Sequence, residues 1–171
     1  MRKNPDTILA LDPGLRDLGY AVLHGRRLVT SGVLGLRRLP KEERLAAARK
    51  NVRNWLRTHR PDVVVVEKTY RHPVPWLDQL HQLSSSARNL ATRQRAAFAT
   101  YSPQSVRATV AGNGKAKKAE TAIAVAHRFP SLRVYLTQDR RWKERYWLNM
   151  FDAIALALHY QSETQPPSRG R

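Results

Sequence analysis

Two apolar runs in the first half of the chain each end in a carboxylate. Residues 8–11 (Ile-Leu-Ala-Leu) precede Asp12, and residues 63–66, four valines, precede Glu67. Runs of this length without alternating polar positions are typical of central strands that are covered on both faces. The sequence Asp12-Pro13-Gly14 is turn chemistry, so the first strand must stop at its aspartate. An ordinary turn aspartate would fit that motif equally well by itself.

The remaining pattern predicts an α/β domain that begins with three antiparallel strands. Residues 19–23 form a hairpin with the first strand, and residues 27–36 form the third strand. A helix then opens at Pro40 and ends before Pro61, where the valine strand follows. Beyond that strand we expect a helix from about Trp76 to Ala97, a strand over 98–101, helices over 103–110 and 115–128, and a last helix from about Trp142 to His159.

The predicted helix from Trp76 carries an apolar stripe with seven-residue intervals. Its members are Trp76, Leu80, Leu83, Ala87 and Leu90. This pattern is typical of a helix packed on the core. It is also typical of a helix that pairs with a second subunit, so both interpretations stay open at this point.

The charge of the chain narrows the class of partner. With 31 Lys and Arg against 13 Asp and Glu, the 171 residues carry a formal net charge of +18. Such an excess favours a polyanionic partner, and nucleic acid is the expected one. An anionic membrane surface is the alternative, but the basic residues do not line one face of an amphipathic helix.

Cysteine is absent, which excludes disulfides and thiolate metal sites and fits a reducing compartment.

We expect one domain over residues 1–160 and a disordered tail over 161–171, where Pro and Gly are frequent. The basic N-terminus is followed by too few apolar residues for a signal peptide, and no run reaches membrane-spanning length. These features predict a cytoplasmic, nucleoid-associated protein.

Two further groups of polar residues carry candidate chemistry. Lys115, Lys117 and Lys118 would oppose the dipole of the helix they open, unless they meet phosphates that also contact the helix-end amides. A merely solvated basic turn is the alternative. In the last helix, Asp152 is the single acid of the apolar stretch 151–157, and Asn149 precedes it by one turn.

These acids can form one site. If the strands of Asp12 and Glu67 are neighbours, their carboxylates converge, and the last helix can bring Asp152 to the same place. Three buried acids cannot all ionise at low cost without a cation. Carboxylate oxygens suit hard divalent ions such as Mg²⁺ and Mn²⁺. In a strongly basic chain, such a site points to phosphodiester hydrolysis with two metal ions.

The blocks that carry this chemistry resemble the RuvC family of bacterial Holliday junction resolvases, within the RNase H-like superfamily. The resemblance rests on residues 8–14 with Gly19 and Tyr20, Val66 and Glu67 with Tyr70, residues 101–114 with Lys118, and residues 152–157. It implies an RNase H-like α/β fold, with a mixed five-stranded sheet flanked by helices. It also implies a homodimer that nicks four-way junctions in recombination and repair, with the helix from Trp76 to Ala97 at its interface. Branch-migration proteins could be further partners.

By position, the resemblance makes Asp12, Glu67 and Asp152 catalytic acids that bind two divalent cations per subunit, Mg²⁺ or Mn²⁺. Lys118 would act in catalysis, close to the scissile phosphate. Tyr70 matches the aromatic residue that stacks at the opened junction. The residues expected to contact DNA are Tyr70, Arg71, Arg107, Lys115, Lys117 and Lys118.

Asn149 departs from the family pattern, which usually has Asp or His three residues before the last aspartate. Its amide oxygen can still coordinate a metal, but without charge it should hold the second ion less tightly. Either cutting persists with Mn²⁺ favoured over Mg²⁺, or the chain is a junction-binding protein with weakened or lost cleavage.

Other polar residues receive no role from the sequence. Asp17 and Asp139 are expected to be surface or turn acids, and His72, His81 and His159 to be surface or satisfied histidines. Two rival functions share the superfold. An actin-like ATPase would need two lobes, and a ribonuclease would be separated by comparing an RNA:DNA hybrid with a four-way junction.

Overall fold

The computed structural model describes residues 6–69, 75–137 and 141–164. The strands within these ranges are β1 Thr7–Asp12, β2 Asp17–His24, β3 Arg27–Gly35, β4 Val63–Glu67 and β5 Ala97–Tyr101. The α-helices are α1 Lys41–His59, α2 Pro75–Arg93, α3 Pro103–Ala111, α4 Lys118–Arg128 and α5 Arg141–Thr164. A 3₁₀ helix, Pro130–Tyr135, precedes α5 and was not predicted from the pattern.

The strands of the described ranges form one mixed sheet in the order β3-β2-β1-β4-β5. β2 pairs antiparallel with β1 and with β3, whereas β4 pairs parallel with β1 and with β5. The predicted fold class, a mixed five-stranded sheet flanked by helices, is therefore confirmed. β1 and β4 are neighbours near the middle of the sheet, as expected for strands whose side chains are apolar on both faces.

Helices cover the two faces of the sheet and bury separate apolar clusters. On one face, Ile8 of β1 and Val65 of β4 belong to a cluster with Phe151 of α5. On the other face, Leu9 and Val64 belong to a cluster with residues of α1 and α2. Successive residues of each strand thus enter opposite clusters, because the side-chain period of a strand is two. No helix of the described residues combines the length and apolar character needed to cross a membrane.

The apolar stripe of α2 is largely used inside the chain. Leu80, Leu83 and Ala87 are buried, and Leu83 and Ala87 lie in the cluster shared with α1. Leu90 is partly buried against the same cluster. Core packing therefore accounts for this part of the stripe, and a subunit interface on α2 stays a prediction.

α2 ends at Arg93, four residues before the predicted end at Ala97. Arg95 takes a left-handed backbone conformation, with φ of 59°. This turn lets the backbone N–H of Ala96 donate to the carbonyl of Ala91 at 2.9 Å, which closes the helix. The prediction was wrong here because no Gly or Pro marks the stop.

α4 begins at Lys118, three residues later than predicted. Asn113 forms a turn in which its Oδ1 accepts a hydrogen bond from Lys115 N at 2.9 Å. Its backbone oxygen accepts one from Ala116 N at 3.0 Å. Lys115 therefore lies in a turn, and Lys117 is the residue that caps the helix.

α5 continues to Thr164, beyond the predicted end at His159. The side-chain amide of Gln161 donates to the backbone oxygen of Gly25, which joins this last turn to the β2–β3 hairpin. The predicted tail therefore cannot begin at residue 161, and residues 165–171 lie outside the described residues.

The contact between β2 and α5 yields a test of the packing. A Cβ added at Gly19 would lie 2.0 Å from the backbone oxygen of Asn149. We expect Gly19→Ala to destabilise the fold by about 2 kcal/mol or more, because α5 must move away from the sheet. Thermal unfolding measures this loss. Gly35→Ala is the matched control, since its Cβ would meet Tyr146 at an ordinary 3.7 Å. Equal melting temperatures for the two variants would contradict the expectation.

Candidate active site

The sheet brings Asp12 and Glu67 to the same edge. Each is the last residue of its strand, and the parallel register pairs Leu11 with Val66 immediately before them. Asp12 is buried and Glu67 is half-buried. The predicted convergence of these two carboxylates follows from the parallel pairing of β1 with β4.

α5 and α4 add an acid and a base to this edge. Asp152 lies in the buried part of α5, and Lys118 is the first residue of α4. The Nζ of Lys118 donates a hydrogen bond to Oδ2 of Asp152 and forms an ion pair with it. The charges of Lys118 and of all three acids act on one another. The structure thus brings these four predicted residues together.

Burial raises the pKa of all three carboxyl groups. The pKa of Asp12 lies well above its usual 3.8, because of burial first and then the negative charges of Glu67 and Asp152. The pKa of Glu67 is raised to about 7, again by burial first and then by Asp152. Burial also raises the pKa of Asp152, although Lys118 opposes it. Acids that repel one another in a desolvated site favour a cation between them.

Positive charge from two other elements offsets part of this repulsion. Burial alone would lower the pKa of Lys118, but the charges of Asp152 and Asp12 and its hydrogen bond to Asp152 raise it. Arg107 of α3 also stabilises the ionised forms of Glu67 and Asp152. Two of the predicted DNA-contacting residues therefore lie within electrostatic reach of the acids.

A hydrogen bond between an exposed threonine and a buried histidine ties α3, which carries Arg107, to α5. Thr109 Oγ1 and His159 Nδ1 lie 2.7 Å apart, and the His159 ring meets the Tyr101 ring edge-on at a centroid distance of 4.4 Å. His159 is buried, and burial lowers its pKa. The expectation of a satisfied histidine is confirmed. Its role in positioning α3 was missed, because no local pattern links Thr109 to a residue fifty positions away.

The three acids do not form a preorganised metal-binding site. Among the described residues, no group of three His, Cys, Asp or Glu side chains is arranged to hold a metal ion as the side chains stand. The donor set nevertheless fits a divalent cation, because it offers buried carboxylate oxygens whose mutual repulsion a cation would relieve. The roles of Asp12, Glu67 and Asp152 as metal ligands stay predictions.

The side-chain amide of Asn149 contacts the backbone of β2. Its Nδ2 donates to the backbone oxygen of Asp17 at 3.2 Å. Asp17 itself is buried, and its Oδ2 accepts hydrogen bonds from Arg37 Nε at 2.8 Å and from a terminal Arg37 nitrogen at 2.5 Å. The expectation that Asp17 is a surface or turn acid is therefore wrong, since Arg37 compensates its burial. A metal-ligand role for Asn149 stays a prediction.

The other predicted residues are less informative. Lys115 and Lys117 are exposed, and Lys117 N donates to a Glu120 carboxylate oxygen at 2.5 Å. His81 is half-buried, and its Nε2 has no hydrogen-bond partner among the described residues, so the expectation of a surface or satisfied histidine stays a prediction. The predicted residues that lie outside the described side chains are Tyr70, Arg71, His72 and Asp139.

The sheet order, with acids at the ends of β1 and β4 and a third on the last helix, defines the class as an RNase H-like domain. A structure of Thermus thermophilus RuvC matches with a TM-score of 0.69 and 23% identity, covering 92% of this chain and 97% of that one. A structure of T. thermophilus RuvC in complex with Holliday junction substrate matches with a TM-score of 0.71 and 24% identity, covering 90% and 91%. These matches show the fold.

The chain belongs to the RuvC family. The family model described as crossover junction endodeoxyribonuclease RuvC matches residues 8–159. The RuvC protein of Renibacterium salmoninarum is 30% identical over 168 residues, which cover 94% of this chain and 82% of that protein. The Saccharopolyspora erythraea protein is 33% identical over 125 residues, covering 69% of this chain and 63% of that protein. The match thus spans less than two thirds of the S. erythraea relative.

The raised pKa of Glu67 predicts how stability depends on pH without metal. Between its usual 4.5 and about 7 the folded chain holds a proton that the unfolded chain releases, so stability falls as pH rises through this window. Glu67→Gln cannot ionise and escapes this loss. At pH 8 in EDTA we expect the variant to be more stable by up to roughly 2–3 kcal/mol, and at pH 5 the difference should vanish.

Thermal unfolding of both chains at the two pH values measures this effect. The exposed Asp78→Asn on α2 is the control, and because Asp78 lies in the first turn of its helix, any difference from the wild type should be the same at both pH values. A Glu67→Gln variant less stable than the wild type at pH 8 would show that Glu67 is not electrostatically strained.

Proposed function

We propose that this chain is a structure-selective endonuclease that resolves four-way (Holliday) DNA junctions by metal-dependent phosphodiester hydrolysis, in recombination and repair. The observation that carries the proposal is the convergence of Asp12, Glu67 and Asp152 beside Lys118, in a chain of net charge +18. Membership of the RuvC family supports the substrate. Its relatives are named crossover junction endodeoxyribonucleases, and one matched T. thermophilus protein is in complex with a Holliday junction substrate.

The acids of the site would hold the metal. Nucleases of the RuvC family depend on divalent metal ions, and we propose two per subunit, Mg²⁺ or Mn²⁺, held by Asp12, Glu67 and Asp152 with Asn149 as a neutral fourth ligand. When bound, such ions activate a water and stabilise the leaving oxygen of a phosphodiester. The buried carboxylates of this chain would fix the position of that chemistry at the end of β1 and β4.

The cationic side chains of the site would contact the phosphates of the substrate. The ammonium of Lys118 would lie beside the scissile phosphate and offset charge that develops there. Arg107 would contact the same region of the backbone, as would Lys115 and Lys117 from the exposed turn before α4. Tyr70 and Arg71, which lie outside the described residues, would contact the opened junction, with Tyr70 stacking on an unpaired base.

The assembly belongs to the same proposal. A homodimer with its interface on α2 would present two sites to the two strands of like polarity, and paired nicks need both. Branch-migration proteins and a cytoplasmic, nucleoid-associated location are further parts of it. The exposed polar residues of α2, Gln82 and Ser85 among them, would lie on or near that interface.

The alternative, a junction-binding protein without cleavage, rests on Asn149 alone. Neither the described residues nor the relatives offer an observation that favours lost activity, since all three acids are present and converge. We therefore expect Asn149 to affect which metal ion the site prefers, and not whether cleavage occurs.

Asp12→Asn tests the nuclease. We expect a loss of junction cutting by roughly 10³-fold or more, because a buried ligand loses its charge. Junction binding in EDTA should change little. The measurement is paired symmetric nicking of synthetic four-way junctions in Mg²⁺ or Mn²⁺, with an RNA:DNA hybrid as comparison. Asp62→Asn is the control, because Asp62 is exposed before β4, at the opposite edge of the sheet. Wild-type rates in Asp12→Asn, or preferred cutting of the hybrid, would overturn the proposal.

Asn149→Asp tests the fourth ligand. Added charge should favour the second ion, so we expect nicking in Mg²⁺ to rise relative to nicking in Mn²⁺. Asn149→Ala separates this effect from structure, since both variants lose the amide that donates to Asp17. If the ratio of rates in the two metals is the same in all three chains, Asn149 is not a ligand.

A further inference from the structure

An open groove of about 710 Å³ lies beside the candidate active site. We name it the β1–α1 groove, because its walls come from the turn after β1, the loop after β3 and the start of α1, with parts of α2 and α5. Its basic side chains are Arg16, Arg37, Lys41 and Arg44. The groove is therefore a concave surface that carries four cations, and it is distinct from the turn with Lys115 and Lys117 that precedes α4.

The described residues that line the groove carry more positive than negative charge. Among the described residues that line it, Asp17 is the acid, and its carboxylate is buried and bound by Arg37. Arg16, Arg37 and Lys41 are exposed. Four cations against one carboxylate leave a net positive field in a concave surface, which attracts a polyanion.

Two of the arginines are held in place by the protein. Arg37 is fixed by its two hydrogen bonds to Asp17. Arg44 donates from Nε to the backbone oxygen of Leu39 at 3.1 Å, and from a terminal nitrogen to that of Arg37 at 3.3 Å. Charges on an ordinary solvated surface are not fixed in this way. Guanidinium groups that are already positioned lose less conformational entropy when they bind phosphate.

The groove lies directly beside the three carboxylates of the candidate active site. Pro13, on its wall, directly follows Asp12, and Asn149, also on its wall, lies one helical turn before Asp152. A nucleic-acid strand with one phosphate at the acids must continue in both directions from that point. The groove gives one direction a cationic path that starts at the acids themselves.

We propose that the β1–α1 groove binds the sugar–phosphate backbone of the DNA strand next to the scissile phosphate, with Arg16 and Lys41 as phosphate contacts. The inference rests on the proposed function, because it takes the acids as the place of cutting. Arg37 and Arg44, whose guanidinium groups are already positioned, add fixed positive charge to the wall on which the backbone lies. These contacts carry no base information, and they fix the direction in which the strand leaves the site.

The test is the salt dependence of junction binding by the full chain in EDTA, where no cutting occurs. Log affinity falls with log salt with a slope of about −0.9 per phosphate contact, so Arg16→Gln/Lys41→Gln should reduce the magnitude of that slope by roughly 1.5–2 for each bound subunit and weaken binding about ten-fold or more at 0.2 M salt. Arg37 is left intact, because its removal would leave Asp17 buried without its partner. Arg16→Lys/Lys41→Arg keeps both charges and should keep the wild-type slope.

Arg57→Gln/Arg60→Gln is the matched control. Both residues are exposed and line a different cavity, between the ends of α1 and α2, at the edge of the sheet opposite to the acids. An unchanged slope for Arg16→Gln/Lys41→Gln, or an equal drop in the control, would overturn the groove as a specific contact while leaving the nuclease intact. Absence of junction binding by the wild type would overturn the proposed function itself.

Discussion

Three carboxyl groups held together at one edge of a sheet, two of them buried and Glu67 half-buried, are the constraint on which the rest of this structure depends. Asp12 and Glu67 cannot move apart, because β1 and β4 are parallel neighbours whose preceding residues are packed on both faces. Asp152 is held by an apolar helix segment in the same core. Burial raises the pKa of all three acids, and the charges of neighbouring acids raise it further for Asp12 and Glu67. Lys118 and Arg107 offset part of it, and a divalent cation would offset more.

α5 connects this constraint to the rest of the fold. It packs in the cluster on one face of the sheet, and its Asn149 meets Gly19 of β2 so closely that no side chain fits between them. The amide of Asn149 and the hydroxyl of Tyr146 bond to backbone oxygens of Asp17 and Val33 on the far strands. The position of Asp152 is thus set by contacts with β2 and β3 as well as with β1. A substitution that alters this packing would therefore shift Asp152 even if it does not contact the acids.

The separation of charge across the molecule fits a protein that acts on a polyanion. Three acids lie together at one edge of the sheet, whereas Lys and Arg outnumber Asp and Glu by 31 to 13 along the chain, and four of these cations line the groove that starts beside Asp12. Nucleic acid would be attracted to the surface through counterion release, and only the phosphate at the acids would meet ligands for a metal. Under the proposed function, binding and cutting would depend largely on different residues and would respond differently to salt and to substitution.

The sequence by itself determined the elements and the ends at which Asp12 and Glu67 lie, because apolar runs and Asp-Pro-Gly turn chemistry act locally. The sequence also determined that Asp152 is buried, because the helix segment around it is apolar and packs against the core. Only the tertiary structure decided the pairing of Asp17 with Arg37, the hydrogen bond from Asn149, the end of α2 at Arg93 and the start of α4 at Lys118. The physical reason is that a residue pattern shows periodicity and burial along the chain. The features that only the tertiary structure decided depend on which groups, often distant in the chain, pair with a buried charge or bond to a free backbone group once the elements have packed.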